Sequence, residues 1–308
     1  MTTLVTGGCG FIGSHLTEAL VGRGERVRVF DSLSTGREEN LCAVADHIEM
    51  VRGDIRDYQA VQSAMQGVEK VYHLAALVSP FDSVDDPHST HEVNSTGTLH
   101  VLEAARRAGA RKVVLASSCS VYGNDPGLPK TETMTLSPES PYAATKLYGE
   151  KLLEVFGRLF GMQTVSLRYF NVFGPRQDPS SAYAGVISKF FDAFKKGRTP
   201  IIFGDGLQTR DFVFVSDVVA ANLAAMDADT LEPGAIVNVG TGRQTSLLAI
   251  LEALEGLFEK KAQPEFFPVR PGDVRHSVAD VSKARSLFGF SAQYPLAAGL
   301  SRMMEKKG

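Results

Sequence analysis

The sequence contains no tryptophan and only three cysteines, and it has neither a basic excess nor a long apolar run. Cys9, Cys42 and Cys119 form no C-x-x-C pair and no metal-ligand spacing, so we expect no metal site, and the odd number suits a reducing compartment. The formal net charge of −3 gives no basic footprint, which argues against nucleic acid as a partner.

Membrane and export signals are also missing from the pattern. No stretch approaches the ~20 consecutive apolar residues that a transmembrane helix needs. The first residues run directly into a strand pattern, without the charged segment and apolar core of a signal peptide. We therefore expect a cytoplasmic protein that does not bind membranes.

Short β-branched segments alternate with helical periodicity through the first half of the chain. Strands separated by helices of this length need right-handed crossovers, which produce a parallel sheet. The predicted fold class is α/β, a doubly wound parallel Rossmann sheet. The predicted strands are 3–5, 26–30, 47–51, 70–74, 112–116 and 164–169, and the predicted helices are 11–21, 58–65, 87–108 and 141–160.

The pattern weakens after Asn171. A polar loop over 177–184, a helix over 186–196 and strands at 201–203 and 236–239 are predicted there. We expect residues 1–171 to form the first domain, with a returning segment near 212–245. Residues 172–308 would mainly form a smaller, interleaved C-terminal substrate-binding lobe.

A glycine-rich turn follows the first predicted strand and opens the first predicted helix. Gly7, Gly10 and Gly13 stand three residues apart. Side chains at Gly7 or Gly10 would hinder the tight turn and keep the backbone away from a pyrophosphate, while Gly13 lets the helix pack close to the strand. The helix N-terminus then offers free N–H groups to phosphates. The turn predicts a dinucleotide site.

Asp31 ends the second predicted strand. A carboxylate there accepts hydrogen bonds from an adenosine ribose and repels a 2′-phosphate, which favours NAD over NADP. Arg37 nearby leaves room for NADP, and a turn-capping role for Asp31 stays open. Asp54 and Ile55, after the third strand, are placed to meet the adenine.

A tyrosine and a lysine stand four residues apart near the start of a predicted helix. This spacing puts Tyr142 and Lys146 on one face. A phenol is a poor base at its ordinary pKa of ~10. A neighbouring ammonium and a cationic nicotinamide would lower that pKa toward neutrality. An ordinary amphipathic helix also produces this spacing, so the pair alone decides nothing.

Ser117 and Ser118 follow the fifth predicted strand, at the sheet edge where ligands of open α/β sheets bind. A hydroxyl there can relay a proton between a substrate oxygen and Tyr142. Its alternative role is capping a turn or helix. The glycine turn, the serines and the Tyr–Lys pair occur in an order that accident does not readily produce.

With these motifs the chain resembles the extended short-chain dehydrogenase/reductases, the NAD-dependent epimerase/dehydratase family, over nearly its whole length. The resemblance rests on TGGCGFIG at 6–13, Asp31, Leu74-Ala75-Ala76, Ser118 with Val121-Tyr122-Gly123, Tyr142-x-x-x-Lys146, the segment 168–174 and Arg210-Asp211-Phe212. The last two segments look like the nucleotide-sugar binding segments of UDP-hexose 4-epimerases.

The resemblance implies NAD as cofactor, a UDP-sugar as substrate and a homodimer built on a four-helix bundle. Tyr142 would act as the base on the sugar 4-hydroxyl, with Ser118 hydrogen-bonded to that oxygen and Lys146 on the nicotinamide ribose. The implied cofactor residues are Gly7, Gly10, Phe11, Ile12, Gly13, Asp31, Asp54, Ile55, Leu74, Ala75, Ala76, Tyr142 and Lys146.

The resemblance also implies the sugar-nucleotide contacts. The matching residues are Ser118, Asn171, Arg176, Arg210, Arg270, Asp273 and Ser277. Arginine suits a diphosphate because its guanidinium engages two oxygens at once. Ser277 stands where glucose-only relatives carry a tyrosine, so it would leave room for a 2-acetamido group. This favours interconversion of UDP-GlcNAc and UDP-GalNAc, with UDP-Glc and UDP-Gal also accepted.

Several other functions stay open. Nucleotide-sugar 4,6-dehydratases usually carry Asp-Glu directly after the matched serine, where this chain has Cys119 and Ser120. Cys119 would be the base of a 5,6-dehydratase, although the glutamate that such enzymes pair with it is missing here. A glucuronate epimerase or decarboxylase would use Arg176 and Arg275 on a carboxylate. A non-catalytic NAD-binding sensor is disfavoured because both Tyr142 and Lys146 are present.

Overall fold

Strands and helices alternate along the first half of the chain, and the computed structural model describes residues 1–179, 185–229, 231–269 and 274–305. The strands are β1 (Thr2–Thr6), β2 (Arg26–Asp31), β3 (Ile48–Arg52), β4 (Val68–His73), β5 (Lys112–Ser118), β6 (Gln163–Tyr169), β7 (Asn171–Phe173), β8 (Ile201–Phe203), β9 (Thr209–Arg210), β10 (Phe212–Phe214), β11 (Ala235–Val239), β12 (Thr245–Ser246) and β13 (Glu265–Phe267). The helices are α1 (Phe11–Gly22), α2 (Tyr58–Ala64), α3 (Asp82–Asp85), α4 (Pro87–His91), α5 (Gly97–Ala108), α6 (Pro141–Phe160), α7 (Val186–Lys196), α8 (Val215–Asp227), α9 (Leu247–Phe258), α10 (Ser282–Phe288) and α11 (Leu296–Met304).

A seven-stranded parallel sheet forms the centre of the molecule, in the order β11-β6-β5-β4-β1-β2-β3. Six of these strands repeat the order 3-2-1-4-5-6 of dinucleotide-binding folds, and β11 is added beside β6. Apolar clusters cover both faces of the sheet. The predicted doubly wound α/β class is confirmed. The order reverses between β1 and β4, and this switch point leaves a crevice at the carboxyl ends of the strands.

Helix α6 begins and ends where its sequence signals predict. The side chain of Ser140 accepts a hydrogen bond from the Ala143 backbone at 3.2 Å, and Pro141 fills the first helical position. Gly161 ends the helix with φ of 69°, in the left-handed region. These caps fix the register of the helix that carries Tyr142 and Lys146.

The helical stretch predicted over 87–108 is confirmed, but it is not one regular α-helix. It consists of α4, a π-helical segment over Glu92–Thr96, and α5. The wider turn places Asn94 inward, where its side chain bonds both backbone groups of Leu77 at 2.8 and 2.9 Å. A π-bulge of this kind is typical of functional sites. It fixes the segment that follows β4.

The C-terminal part interleaves with the large sheet, as expected. β11 joins that sheet, while β7 pairs with β10, β8 with β13 and β9 with β12 in two-stranded sheets. α7 and α9 enclose a separate apolar cluster that includes Phe190 and Ile250. Where the two lobes divide remains a prediction. None of the helices in the described part of the chain has the length and apolarity needed to cross a membrane.

Candidate active site

A cavity of about 520 Å³ opens at the carboxyl edge of the large sheet, above the switch point. It is lined by the loops after β1, β2, β3 and β4 and by the ends of β5 and β6. The predicted cofactor residues and Ser118 meet there although they come from distant parts of the chain. They are Gly7, Gly10, Phe11, Ile12, Gly13, Asp31, Asp54, Ile55, Leu74, Ala75, Ala76, Ser118, Tyr142 and Lys146.

The glycine turn is too crowded for side chains. A Cβ on Gly7, whose φ is 70°, would lie 2.7 Å from the backbone nitrogen of Ala75. A Cβ on Gly13 would lie 2.1 Å from the carbonyl oxygen of Gly7. Gly10 precedes α1 and has no side chain to cap its first turn. The exposed backbone and the positive end of α1 therefore fit a dinucleotide pyrophosphate.

Two backbone hydrogen bonds hold the carboxylate of Asp31 in the cavity wall. Oδ2 accepts from the Cys9 nitrogen at 2.9 Å, and Oδ1 accepts from the Leu33 nitrogen at 2.8 Å. Arg37 forms an ion pair with Asp178 at 2.8 Å. A fixed carboxylate with lone pairs to spare fits a ribose diol, and the engaged Arg37 does not supply a 2′-phosphate site.

Tyr142 and Lys146 lie side by side on the buried face of α6. The Lys146 Nζ donates a hydrogen bond to the Ala116 carbonyl at 2.9 Å and lies 5.8 Å from the centre of the Tyr142 ring. Ser118, the last residue of β5, lies near enough to Tyr142 for its hydroxyl to lower the pKa of the phenol. The predicted serine, tyrosine and lysine thus form one cluster at the cavity.

Burial works against the charged forms of both α6 side chains. It raises the pKa of Tyr142 to about 12, against a hydrogen bond from Ser118 that lowers it. It lowers the pKa of Lys146 to about 8, against the Glu150 carboxylate that raises it. At such buried positions, small changes in nearby charge have large effects on proton transfer.

Sequence reasoning missed a buried ion pair behind the cluster. Glu150 and Arg168 lie on α6 and β6, and the guanidinium donates to both carboxylate oxygens at 2.9 and 2.7 Å. Ser117 donates to the same carboxylate at 2.5 Å. The sequence does contain a signal for Glu150, because it follows Lys146 at the same four-residue spacing that separates Lys146 from Tyr142.

A second missed residue is His73 at the end of β4, which bridges β1 to α5. Its Nδ1 lies 2.7 Å from the Thr6 hydroxyl, and its Nε2 lies 2.9 Å from the Thr98 hydroxyl. Burial, followed by the charge of Lys146, lowers the pKa of His73 to about 3. The neutral ring therefore fixes the sheet edge directly beneath the cavity. No local sequence pattern distinguishes it from an ordinary strand residue.

Ser118 lines this cavity, whereas the other described sugar-nucleotide candidates, Asn171, Arg176, Arg210 and Ser277, are not among its lining residues. Asn171 donates its side-chain amide to the Asp211 carbonyl at 3.3 Å. The guanidinium of Arg210 is near enough to Cys119 to lower its pKa, although burial dominates and raises it to about 12. Ser277 is buried beside β9, where its nitrogen bonds the Thr209 carbonyl at 3.2 Å. Arg210 and Ser277 thus lie on neighbouring backbone segments, because Thr209 and Arg210 together form β9.

Two other candidates, Arg270 and Asp273, lie outside the described residues. Arg176 takes a different position from the one its predicted role suggests. Its guanidinium forms an ion pair with Glu18 of α1, and its φ of 69° is unusual for a residue with a side chain. Its predicted contact with substrate stays a prediction.

Comparison with known proteins agrees with this geometry. The model of the NAD dependent epimerase/dehydratase family matches residues 3–240. A UDP-glucose 4-epimerase of Mycolicibacterium smegmatis is 44% identical over 309 residues, covering 99% of this chain and 98% of its own.

Two solved structures superpose over 98% of this chain. One is a UDP-N-acetylglucosamine 4-epimerase from Methanobrevibacter ruminantium M1 in complex with UDP-N-acetylmuramic acid, with a TM-score of 0.94, 35% identity and 96% of its chain covered. The other is a UDP-glucose 4-epimerase of Thermotoga maritima with UDP-glucose, with a TM-score of 0.93, 37% identity and 97% covered. This chain therefore belongs to the NAD dependent epimerase/dehydratase family and is an NAD-dependent epimerase.

Proposed function

We propose that the chain is a UDP-sugar 4-epimerase that interconverts UDP-N-acetylglucosamine and UDP-N-acetylgalactosamine and also accepts UDP-glucose and UDP-galactose. The observation that carries the proposal is the cluster of Ser118, Tyr142 and Lys146 at the edge of a cavity that fits a dinucleotide. The 4-epimerase relatives described above support the same reaction.

In this proposal Tyr142 Oη takes the proton of the sugar 4-hydroxyl and later returns it. Ser118 hydrogen-bonds the same sugar oxygen and the tyrosine, so it aligns the proton path. When bound, NAD would supply the hydride chemistry: the hydride lost from sugar C4 would return to the resulting 4-keto sugar after that sugar has turned its opposite face to the cofactor. Lys146, buried beside the ring, supplies the positive charge that favours the phenolate.

The two positions after Ser118 favour epimerisation over dehydration. Dehydration needs an acid and a base near C5 and C6, and Ser120 has neither a carboxyl group nor another group that titrates near neutrality. Burial raises the pKa of the Cys119 thiol to about 12, so it stays neutral at physiological pH. These two positions therefore lack the Asp-Glu pair of the 4,6-dehydratases, which favours epimerisation.

The choice of sugar rests on Ser277. Its backbone bonds β9, the strand that contains Arg210, in the part of the structure that carries the candidate nucleotide contacts. A site that gains room there accepts the larger 2-acetamido sugar without losing the smaller one. Asn171, Arg176, Arg210, Arg270 and Asp273 remain proposed contacts of the diphosphate and nucleotide.

The proposal includes a cytoplasmic homodimer that pairs α5 and α6 across a two-fold axis. These helices carry partly exposed apolar side chains, Leu99 on α5 and Tyr148, Val155 and Leu159 on α6. Exposed apolar patches of this kind are typical of interfaces. The three free cysteines fit a reducing compartment.

The test is to incubate the purified protein with UDP-N-acetylglucosamine and to follow the products by NMR. We expect UDP-N-acetylgalactosamine without net formation of NADH, and UDP-galactose in the parallel reaction with UDP-glucose. A 4-keto-6-deoxy sugar, a 5,6-ene or release of CO₂ from UDP-glucuronate as the main activity would contradict the proposal.

A further inference from the structure

Helix α6 carries a third buried polar side chain in line with Tyr142 and Lys146. Glu150 follows Lys146 by four residues, which places it on the same face, and it is 0% exposed. It is not among the residues that line the cavity. Any role in the reaction must therefore act through its neighbours.

The contacts of Glu150 join the catalytic strand end to the neighbouring strand. Its carboxylate accepts hydrogen bonds from Ser117, the residue before Ser118, and from two nitrogens of Arg168. The Arg168 guanidinium also lies 4.8 Å from the centre of the Tyr122 ring. Both charges are removed from water, and such a pair contributes little net stability compared with apolar residues of the same volume. Its place directly beneath Lys146 calls for a different explanation.

The negative charge of Glu150 also acts on Lys146 and raises the pKa of the lysine. The described titratable groups around Lys146 and Tyr142 are Glu150 on α6, His73 on β4, Cys119 after β5 and Arg168 on β6. His73 and Cys119 are neutral near pH 7, because burial lowers the pKa of the first to about 3 and raises that of the second to about 12. The charged groups that remain are Glu150 and Arg168, which form an ion pair. Of the two, Glu150 lies on the same helix as the lysine.

A charged lysine is what the reaction needs. Burial favours the neutral amine of Lys146 and the neutral phenol of Tyr142, which would leave the site without a base. A carboxylate one helical turn away opposes the loss of the lysine proton. A protonated lysine in turn favours the phenolate.

We propose that Glu150 is a positioning residue that holds Lys146 in its protonated form and fixes Ser117, and thereby Ser118, at the end of β5. Arg168 holds the carboxylate by two hydrogen bonds and keeps it aimed at Ser117. The inference rests on the proposed function, because Lys146 matters only if Tyr142 is the base.

The direct test reads the protonation of Lys146 itself. Protein labelled at lysine Cε is titrated by NMR, and the Lys146 signal is identified by its loss in Lys146→Arg. In Glu150→Gln we expect the midpoint of Lys146 to fall by on the order of one pH unit. Glu154→Gln is the matched control, because Glu154 lies one turn further along α6 and pairs with Lys151 and Arg158 at the surface. It should leave the midpoint unchanged.

A second variant guards against misfolding, because Glu150→Gln leaves the buried Arg168 guanidinium without its counter-charge. Glu150→Gln combined with Arg168→Met removes both charges and retains most of the volume. We expect a smaller fall of the Lys146 midpoint in the same direction. An unchanged midpoint in a folded variant of either kind would overturn the inference and reduce Glu150 to a structural role.

The turnover profile supplies the second readout. The alkaline limb of kcat should move to lower pH in Glu150→Gln and stay in place in Glu154→Gln. A wild-type protein that does not epimerise UDP-sugars would refute the proposed function, whereas the NMR midpoint would still decide whether Glu150 acts on Lys146. If the wild type is active and the alkaline limb of its kcat–pH profile is unchanged in both variants, the present inference is refuted while the proposed function stands.

Discussion

The Nζ of Lys146 lies 5.8 Å from the centre of the Tyr142 ring, and both side chains are buried on one face of α6. The Ala116 carbonyl at the end of β5 fixes the lysine at 2.9 Å. The helix therefore presents the proposed base, and the sheet edge anchors the cation that supports it. This relationship leads to a direct test of the base.

Tyr142→Phe removes only the hydroxyl oxygen. We expect kcat to fall by about 10²–10⁴-fold, the usual contribution of a positioned acid–base group, while the Kd for the UDP-sugar stays close to normal. Turnover assays and calorimetric titration measure the two quantities. Tyr148→Phe is the matched control, since Tyr148 lies on the same helix and is exposed. Substantial activity in Tyr142→Phe would mean that another group is the base.

Gly13→Ala tests the dinucleotide turn. The new Cβ would meet the Gly7 carbonyl oxygen at 2.1 Å, so the turn must open. We expect loss of NAD from the purified protein and a lower melting temperature. Gly22→Ala, at the other end of α1, meets no atom within 4 Å and should instead stabilise the protein by about 0.5–1 kcal/mol. Normal NAD content in Gly13→Ala would contradict this account of the cofactor site.

Ser277→Tyr tests the choice of sugar. The larger side chain should exclude the 2-acetamido group, so we expect kcat/KM for UDP-N-acetylglucosamine to fall by at least about tenfold relative to that for UDP-glucose. Parallel assays with the two substrates measure this ratio, and retained UDP-glucose activity shows that the variant is folded. Ser277→Ala should leave the ratio unchanged. If kcat/KM falls equally for both sugars in Ser277→Tyr, Ser277 does not determine the choice of sugar.

Buried His73 gives the stability a defined pH dependence. Its pKa is lowered from 6.5 to about 3, so the unfolded state binds the proton first as the pH falls below 6.5. Stability is therefore fully present above pH 6.5 and is lost toward pH 3. Between pH 7.5 and 5 this residue should reduce the free energy of unfolding by about 2 kcal/mol.

Urea titrations at several pH values measure this loss in the wild type and in His73→Gln. The variant should be less stable at pH 7.5 but should show a shallower fall toward pH 5. His88→Gln is the control, because His88 is exposed and should leave the slope unchanged. If the free energy of unfolding falls with pH equally in His73→Gln and in the wild type, His73 binds its proton as readily in the folded protein as in the unfolded one.

Local signals account for the parts of the fold that the sequence predicted. The strands of the large sheet are short β-branched runs, and α6 is bounded by Ser140, Pro141 and Gly161, so pattern and caps agree. The π-helical segment was invisible because one extra residue per turn leaves apolar spacing nearly intact. Helix α8 escaped prediction because apolar residues surround most of it, which removes the periodic contrast.

The site residues also fall into two groups, those that a local pattern predicts and those whose position depends on contacts between distant segments. The cofactor residues follow successive strands of one sheet, so their order along the chain places them at one edge. Contacts between distant segments leave no such trace. Arg176 and Glu18 are 158 residues apart, and no spacing rule shows that the arginine turns toward α1. The partner of Glu150 likewise depends on how α6 packs against β6.

The proposed dimer can be tested on the outer face of α6. Leu159 is 69% exposed, and an arginine there would place an unpaired charge in the apolar interface. We expect Leu159→Arg to convert the dimer to monomers in analytical ultracentrifugation and to reduce turnover, because the pairing supports the helix that carries Tyr142. Leu287→Arg, an exposed site on α10, is the matched control and should stay dimeric. A monomeric wild type would show that there is no such interface. A dimer that survives Leu159→Arg unchanged would show that the interface lies elsewhere.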